Sequence, residues 1–140
     1  MPTIRRATPQ DKRSIRMIYL SATGGHDSLG DAYLDGLISE GGIFVAEQDG
    51  RIIGFGGIDL KTKEQIKYLY ILPEHHKGGI GSKILTQLEV RGWEAGLESL
   101  RLHSSPAAVE FYRRNGYKEV AEAEQIGHDH AGVEMIKMKG

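Results

Sequence analysis

The segment Pro73-Glu74-His75-His76-Lys77-Gly78-Gly79-Ile80-Gly81-Ser82 joins an apolar, strand-like run (Ile66 to Leu72) to a helix-like run (Ser82 to Ala95). Three glycines at such a joint leave backbone N–H groups uncovered by side chains. They do so at a helix N-terminus, where the helix dipole also favours negative charge. The joint commits the chain to packing a helix on a sheet there, and the loop suits a pyrophosphate. It is not a P-loop, because no Lys-Ser/Thr pair follows Gly81. It also lacks the Gly-x-Gly-x-x-Gly spacing of a dinucleotide site.

The pattern around the loop is mixed. Thr3 to Ala7 reads as a strand. Thr8 caps a helix with Pro9 at its first position and Asp11 three residues after the cap. Ile15, Ile18 and Tyr19 form its apolar stripe, and Gly24-Gly25 ends it. Tyr33, Leu34, Leu37 and Ile38 mark a second helix, ending at Gly41-Gly42. Ile43–Gln48 and Arg51–Leu60 are strands joined by Asp49-Gly50, a strong hairpin signal. A further strand, Glu64 to Leu72, leads into the glycine loop. The next helix buries Ile84, Leu85, Leu88 and Trp93. Ser99 to His103 is a short strand, and Ser105-Pro106 opens a helix carrying Ala108, Val109, Phe111 and Tyr112, stopped by Asn115-Gly116. Tyr117–Ile126 and Val133–Lys139 form a closing hairpin around Gly127–Gly132. The order predicts one mixed α/β (α+β) sheet, with residues 1–140 as a single domain and no internal repeat.

Composition narrows the function. A net charge of −1 gives no global pull toward nucleic acid or an anionic membrane, so neither is expected as a partner. There is no cysteine, hence no disulfide framework and no thiolate zinc site. No apolar run approaches the ~20 residues of a membrane span, and a cytoplasmic location is the expectation. Glycine, 19 of 140 residues, is about twice its usual ~7%, which fits turns and loops.

The glycine loop resembles the acetyl-CoA loop of the GNAT superfamily of N-acetyltransferases, whose pattern is Gln or Arg, two residues, Gly, one residue, then Gly or Ala. The preceding Leu69-Tyr70-Ile71-Leu72-Pro73 and the downstream Ala107-Ala108-Val109-Glu110-Phe111-Tyr112-Arg113-Arg114-Asn115-Gly116-Tyr117 are similar to the family's flanking signatures. The chain departs from the pattern at His76, where Gln or Arg is usual, and at Ser104, often Asn. The resemblance implies a GNAT-type fold: a mostly antiparallel sheet splayed at the cofactor site and flanked by about four helices.

It also implies roles. The cofactor is acetyl-CoA, leaving as CoA. Backbone N–H groups from Lys77 through Gly78, Gly79, Ile80, Gly81 and Ser82 would hold the pyrophosphate, with His76, Ser104 and Ala107 also at the cofactor. Leu69 N–H would polarise the thioester carbonyl, and Ile71 would pair with the pantetheine arm. Tyr112 matches the family's general acid, a phenol that protonates the departing thiolate. Glu64 is the candidate general base, acting through water, with His103 as the fallback. Titration of His76 would make acetyl-CoA binding pH-sensitive.

The acceptor is expected between the first two helices and the sheet, near His26, Asp27, Ser28, Asp31 and Tyr33, with Tyr68 or Tyr70 from the central strand. That mix suits a cationic amine on a small molecule or a peptide, and the sequence does not choose between them. The alternative is a CoA-binding regulatory module of the same fold without turnover. His128-Asp129-His130 lacks a third ligand and reads as a solvated hairpin tip, so no metal is expected. Arg113 and Arg114 could reach the 3′-phosphate of CoA or form ordinary helix surface. The closing hairpin offers an edge for a homodimer.

Overall fold

Residues 2–25, 29–121 and 132–140 are described by the computed structural model. The strands are β1 (Thr3–Arg6), β2 (Ile43–Gln48), β3 (Arg51–Ile58), β4 (Ile66–Ile71), β5 (Ser99–Ser104), β6 (Lys118–Glu119) and β7 (Val133–Met138), and the helices are α1 (Lys12–Ala22), α2 (Asp31–Ser39), α3 (Ile80–Glu94) and α4 (Val109–Arg114). They form a seven-stranded sheet in the order β1-β2-β3-β4-β5-β7-β6. All neighbours are antiparallel except β4 and β5.

Local signals explain most of these elements. Asp49 and Gly50 both take positive φ, 54° and 76°, as a tight hairpin whose twist matches its strands requires. At the start of the chain Asp11 accepts the Thr8 N–H at 2.8 Å, closing the predicted cap. Pro9–Asp11 forms a short 3-10 turn before α1 proper.

Two apolar layers cover the sheet. Ile15, Ile18, Tyr19, Leu34 and Leu37 of α1 and α2 pack on one face with Val45 and Phe55. Ile84, Leu85 and Leu88 of α3 pack on the other with Ile53, Leu100, Leu102 and Met135. The second layer is close-fitting: a Cβ at Gly56 would lie 2.6 Å from Ile84 Cγ2.

Several boundaries differ from the sequence reading. The strand expected from Glu64 begins at Ile66. The Thr62 hydroxyl donates to the Glu64 carbonyl and Gln65 Nε2 to the Thr62 carbonyl, which keeps 61–65 in a turn. The strand expected to reach Leu60 ends at Ile58, where the Asp59 carboxylate accepts the Lys61 N–H. Helix α3 starts at Ile80, two residues before Ser82. The helix expected from Ser105-Pro106 begins as a 3-10 turn, Pro106–Ala108. Trp93 is half-buried, and its neighbour Gly92 packs against Leu100 instead. Of the strand expected over 117–126, residues 117–121 are described and only Lys118–Glu119 of them form strand, β6; residues 122–131 lie outside the described residues.

Candidate functional site

Strands β4 and β5 part. They pair only at Ile66↔Leu102, and Lys67 is skipped in the β3–β4 register, where Gly57 faces Tyr68 and Ile58 faces Ile66. An extra residue of this kind bends a strand and twists it away from its neighbour. It also resets the alternation: Ile66, Leu69 and Ile71 face the α3 layer, while Tyr68 and Tyr70 face the α1 layer.

The wedge so formed encloses about 160 Å³ and is lined by both strands with Tyr112 from α4. A second hollow of about 430 Å³ shares Leu69, Tyr70 and Ser105 with it and continues past Ile71 to His76. Together they run from the strand vertex to the glycine loop.

Main-chain groups point into this path. Leu72 N–H donates to the Ile53 carbonyl at 2.9 Å, so in an antiparallel ladder the even-numbered residues address β3. Leu69 and Ile71 therefore aim their N–H groups at the gap toward β5. The Ile71 carbonyl, on the same side, meets the imidazole of His76 at 2.7 Å.

The loop opens into α3 through Gly79, which has φ +72° and carries no side-chain cap. The first helical bond runs from Lys83 N–H to the Gly79 carbonyl, and no acidic residue occupies the first turn. The N–H groups of Ile80, Gly81 and Ser82 thus form a cationic terminus flanked by Lys77. Gly81 has a second duty: a Cβ there would lie 3.2 Å from Phe111 Cζ.

Acetyl-CoA, the group that the resemblance implies, fits these residues. An uncapped helix start suits a pyrophosphate, and a half-free strand edge suits an amide-bearing arm. Of the other residues expected at the cofactor, Ser104 lines the wedge and its hydroxyl donates to the Ser105 carbonyl. Ala108, rather than Ala107, lines it from the 3-10 turn.

Tyr112 is the phenol in the wedge. Burial, aided by the Tyr70 phenol, pushes its pKa up to about 12. Its ring stands edge-on to Phe111 and Tyr117, at centroid distances of 5.1 and 5.8 Å.

Glu64 is 9% exposed and sits in the turn before β4 rather than on the strand. Its carboxylate lies 4.0 Å from His103 Nδ1. His103 lines the wedge, whereas Glu64 does not. Tyr68 lines it too and is pushed up to about 12 by burial and by neighbouring phenols. Tyr33 donates its hydroxyl to Asp59 at 2.7 Å. His26, Asp27 and Ser28, together with His128, Asp129 and His130, lie outside the described residues. Among the described residues no group of three or more His, Asp or Glu is placed to hold a metal. No described helix is long and apolar enough to cross a membrane. Arg113 is engaged by Glu110 and Glu119 on the helix surface.

Sequence reasoning missed Asp59, a buried carboxylate beside Tyr33. Burial opposes its charge, but the Tyr33 hydroxyl, the Lys61 N–H and two lysines hold its pKa below the ordinary value. A single Asp after Ile58 carries no signal that separates it from a solvated turn.

Comparison with known proteins agrees with this architecture. The family model described as "Acetyltransferase (GNAT) domain" matches residues 39–119, more than half the chain. A mycothiol acetyltransferase of Streptomyces avermitilis is 39% identical over 83 residues, covering 54% of this chain and 27% of the relative. The chain thus matches about a quarter of that protein's length. The N-acetylglutamate synthase of Neisseria gonorrhoeae, solved with coenzyme A and N-acetyl-glutamate, superposes with a TM-score of 0.80 at 20% identity, over 99% of this chain and 35% of that one. The ribosomal-protein-alanine N-acetyltransferase of Brucella melitensis gives 0.77 at 21% identity, over 98% and 99%. At these identities the two structures speak for the fold alone.

Proposed function

The chain belongs to the GNAT acetyltransferase family, and from that premise we propose that it transfers an acetyl group from acetyl-CoA to a primary amine by direct attack on the thioester. One observation carries the reading: the wedge between β4 and β5 joins the Tyr112 phenol to an uncapped helix start through a strand edge with inward N–H groups. Acetyl-CoA supplies an activated acyl carbon and a sulfur leaving group.

The chain's residues do the rest. Leu69 N–H donates to the thioester oxygen, where charge builds as the amine attacks. A donor in such a place is worth about 3–4 kcal/mol of barrier. Ile71 N–H pairs with the pantetheine arm as an added strand would. The first turn of α3, with Lys77, holds the pyrophosphate. Tyr112, kept neutral by burial, protonates the sulfur as it leaves. Tyr68 and Tyr33, on the α1–α2 side of the sheet, form the acceptor wall.

The test is amine-dependent thiol release. The chain has no cysteine, so a thiol reagent reports CoA with no protein background. Thiol release that depends on both acetyl-CoA and an amine from a panel of small and peptide amines is the expected result. CoA binding by calorimetry without release on any amine would favour the regulatory-module reading.

A further inference from the structure

The bulge that opens the wedge carries a lysine. Lys67 is passed over in the β3–β4 register, so no residue of β3 stands opposite it, and a bulge of this kind re-aims the side chain it bears. Lys67 lines the wedge two residues before Leu69, the residue whose N–H meets the thioester oxygen on the reading above. Among the described residues, its ammonium makes no hydrogen bond and no ion pair. The acids around it are committed elsewhere. Asp59 accepts the Tyr33 hydroxyl and the Lys61 N–H. Glu40 pairs with Lys61, Asp31 with Lys12 and Arg16, and Glu64 faces His103. Lys67 is still near enough to Asp59 to help keep it ionised, which sets the ammonium toward the Tyr33 side of the sheet, where the acceptor wall stands.

The lining of the wedge has a matching bias. Lys67 and His103 are its ionisable nitrogen groups, Tyr68, Tyr70 and Tyr112 are its phenols, and no described carboxylate lines it. The acids that made a purely cationic acceptor the expectation do not reach it: Asp31 is paired at the start of α2, and Asp27 lies outside the described residues. A simple amine, protonated at neutral pH, meets like charge at Lys67 and no counter-charge. An amine that brings its own carboxylate meets its complement.

We propose that the acceptor is a free amino acid, and that Lys67 is the specificity-determining residue that pairs with its carboxylate. The assignment rests on the acetyltransferase reading above and narrows its acceptor. Two strand residues span about 6–7 Å, so an anion held by Lys67 lies within a few bonds of a nitrogen attacking beside Leu69. A peptide N-terminus has its nearest carboxyl converted to an amide and presents no anion at that distance unless its first side chain supplies one.

The experiment measures thiol release from acetyl-CoA with the common L-amino acids, with their neutral α-amides, and with peptides that begin in an uncharged residue. Wild type should favour free acids over the matching amides by about tenfold or more in kcat/KM. Lys67→Met should lower kcat/KM on the acids by about 10- to 100-fold, the loss of one charge-assisted pair. It should leave the amides and calorimetric CoA affinity unchanged. Lys67→Arg should keep most of the preference, and Lys67→Glu should reverse it. Equal rates on acids and amides, faster reaction of the peptides, or a preference that survives in Lys67→Met would overturn the assignment. If nothing releases thiol, the acetyltransferase reading fails, and calorimetry on the CoA-loaded protein still decides the role of Lys67. There, N-acetyl amino acids should bind more tightly than their neutral amides in wild type but not in Lys67→Met, and equal binding in wild type would overturn it.

Discussion

The imidazole Nε2 of His76 lies 2.7 Å from the carbonyl oxygen of Ile71, tying the first residue of the glycine loop back to the last residue of β4. The contact keeps the exit of the strand and the start of the loop in fixed relation, which on the proposed reading sets the distance between the edge that meets the pantetheine arm and the loop that holds the pyrophosphate. His76→Ala should therefore raise KM for acetyl-CoA several-fold with kcat little changed, as read from initial rates. The Nε2–H that donates to a carbonyl exists in one neutral tautomer and in the cation alike. KM for acetyl-CoA should then stay flat between about pH 5.5 and 8. A steep change would mean that the imidazolium faces the phosphate instead.

Tyr112→Phe should lower kcat by roughly a hundredfold, the low end for loss of a general acid, with CoA affinity preserved. The ring contacts to Phe111 and Tyr117 survive the loss of the hydroxyl, so thermal stability should barely move. Burial raises the Tyr112 pKa to about 12, above the ordinary ~10. Ionisation of Tyr112 should thus cause no fall in kcat below about pH 10. Its contribution to stability is fully present below pH ~10 and is lost as pH rises further toward its folded value. An unchanged kcat in Tyr112→Phe would return the residue to packing.

The two loop glycines should fail in different ways. Gly79 holds φ +72° with open space around it, so Gly79→Val costs roughly 1–2 kcal/mol of backbone strain and covers the N–H groups of the first turn. KM for acetyl-CoA should rise strongly. Gly81→Val instead pushes on Phe111 and, through it, on the turn that carries Tyr112. Its signature should be a lowered Tm and a lowered kcat together. Normal CoA affinity in Gly79→Val would show that the loop does not hold the pyrophosphate.

Glu89, 9% exposed at its side chain, pairs with Lys137 at 3.1 Å beneath α3. Lys137 also donates to the Asn115 carbonyl at the end of α4. Lys137→Met would strand a buried carboxylate beside the Tyr117 phenol. The cost should be about 2–3 kcal/mol, below the ~3–5 of a fully buried pair because Lys137 is partly exposed. The double variant with Glu89→Leu should recover most of it, as urea unfolding would show. A single variant as stable as wild type would mean that the pair contributes nothing to stability.

Much of the site was legible where the chemistry is local. The glycine loop, its strand and its helix are contiguous, and backbone N–H groups point where the strand-to-helix joint sends them. The Thr8–Asp11 cap and the Asp49-Gly50 turn are likewise contained within four residues. Glu64 was legible as a candidate base at the head of the strand but not as a buried carboxylate in the turn before it, because the bonds from Thr62 and Gln65 that hold 61–65 off the strand leave no periodic trace. Asp59 and the bulge at Lys67 left none either: one charged residue near a strand end looks like solvent-facing polarity.

The sequence alone determined the order of elements, the anion-ready loop and the phenol at position 112 in the later signature helix. These follow from residue types and short-range spacing, which backbone sterics and periodicity convert directly into local structure. Only the tertiary structure decided where the sheet opens, because the divergence of β4 from β5 is a property of two strands 36 residues apart at their paired positions, Ile66 and Leu102. The same divergence put Leu69 and His103 in one wedge, with Glu64 4.0 Å from the His103 ring. No local rule relates those three residues; the bulge and the parallel pairing at one point do.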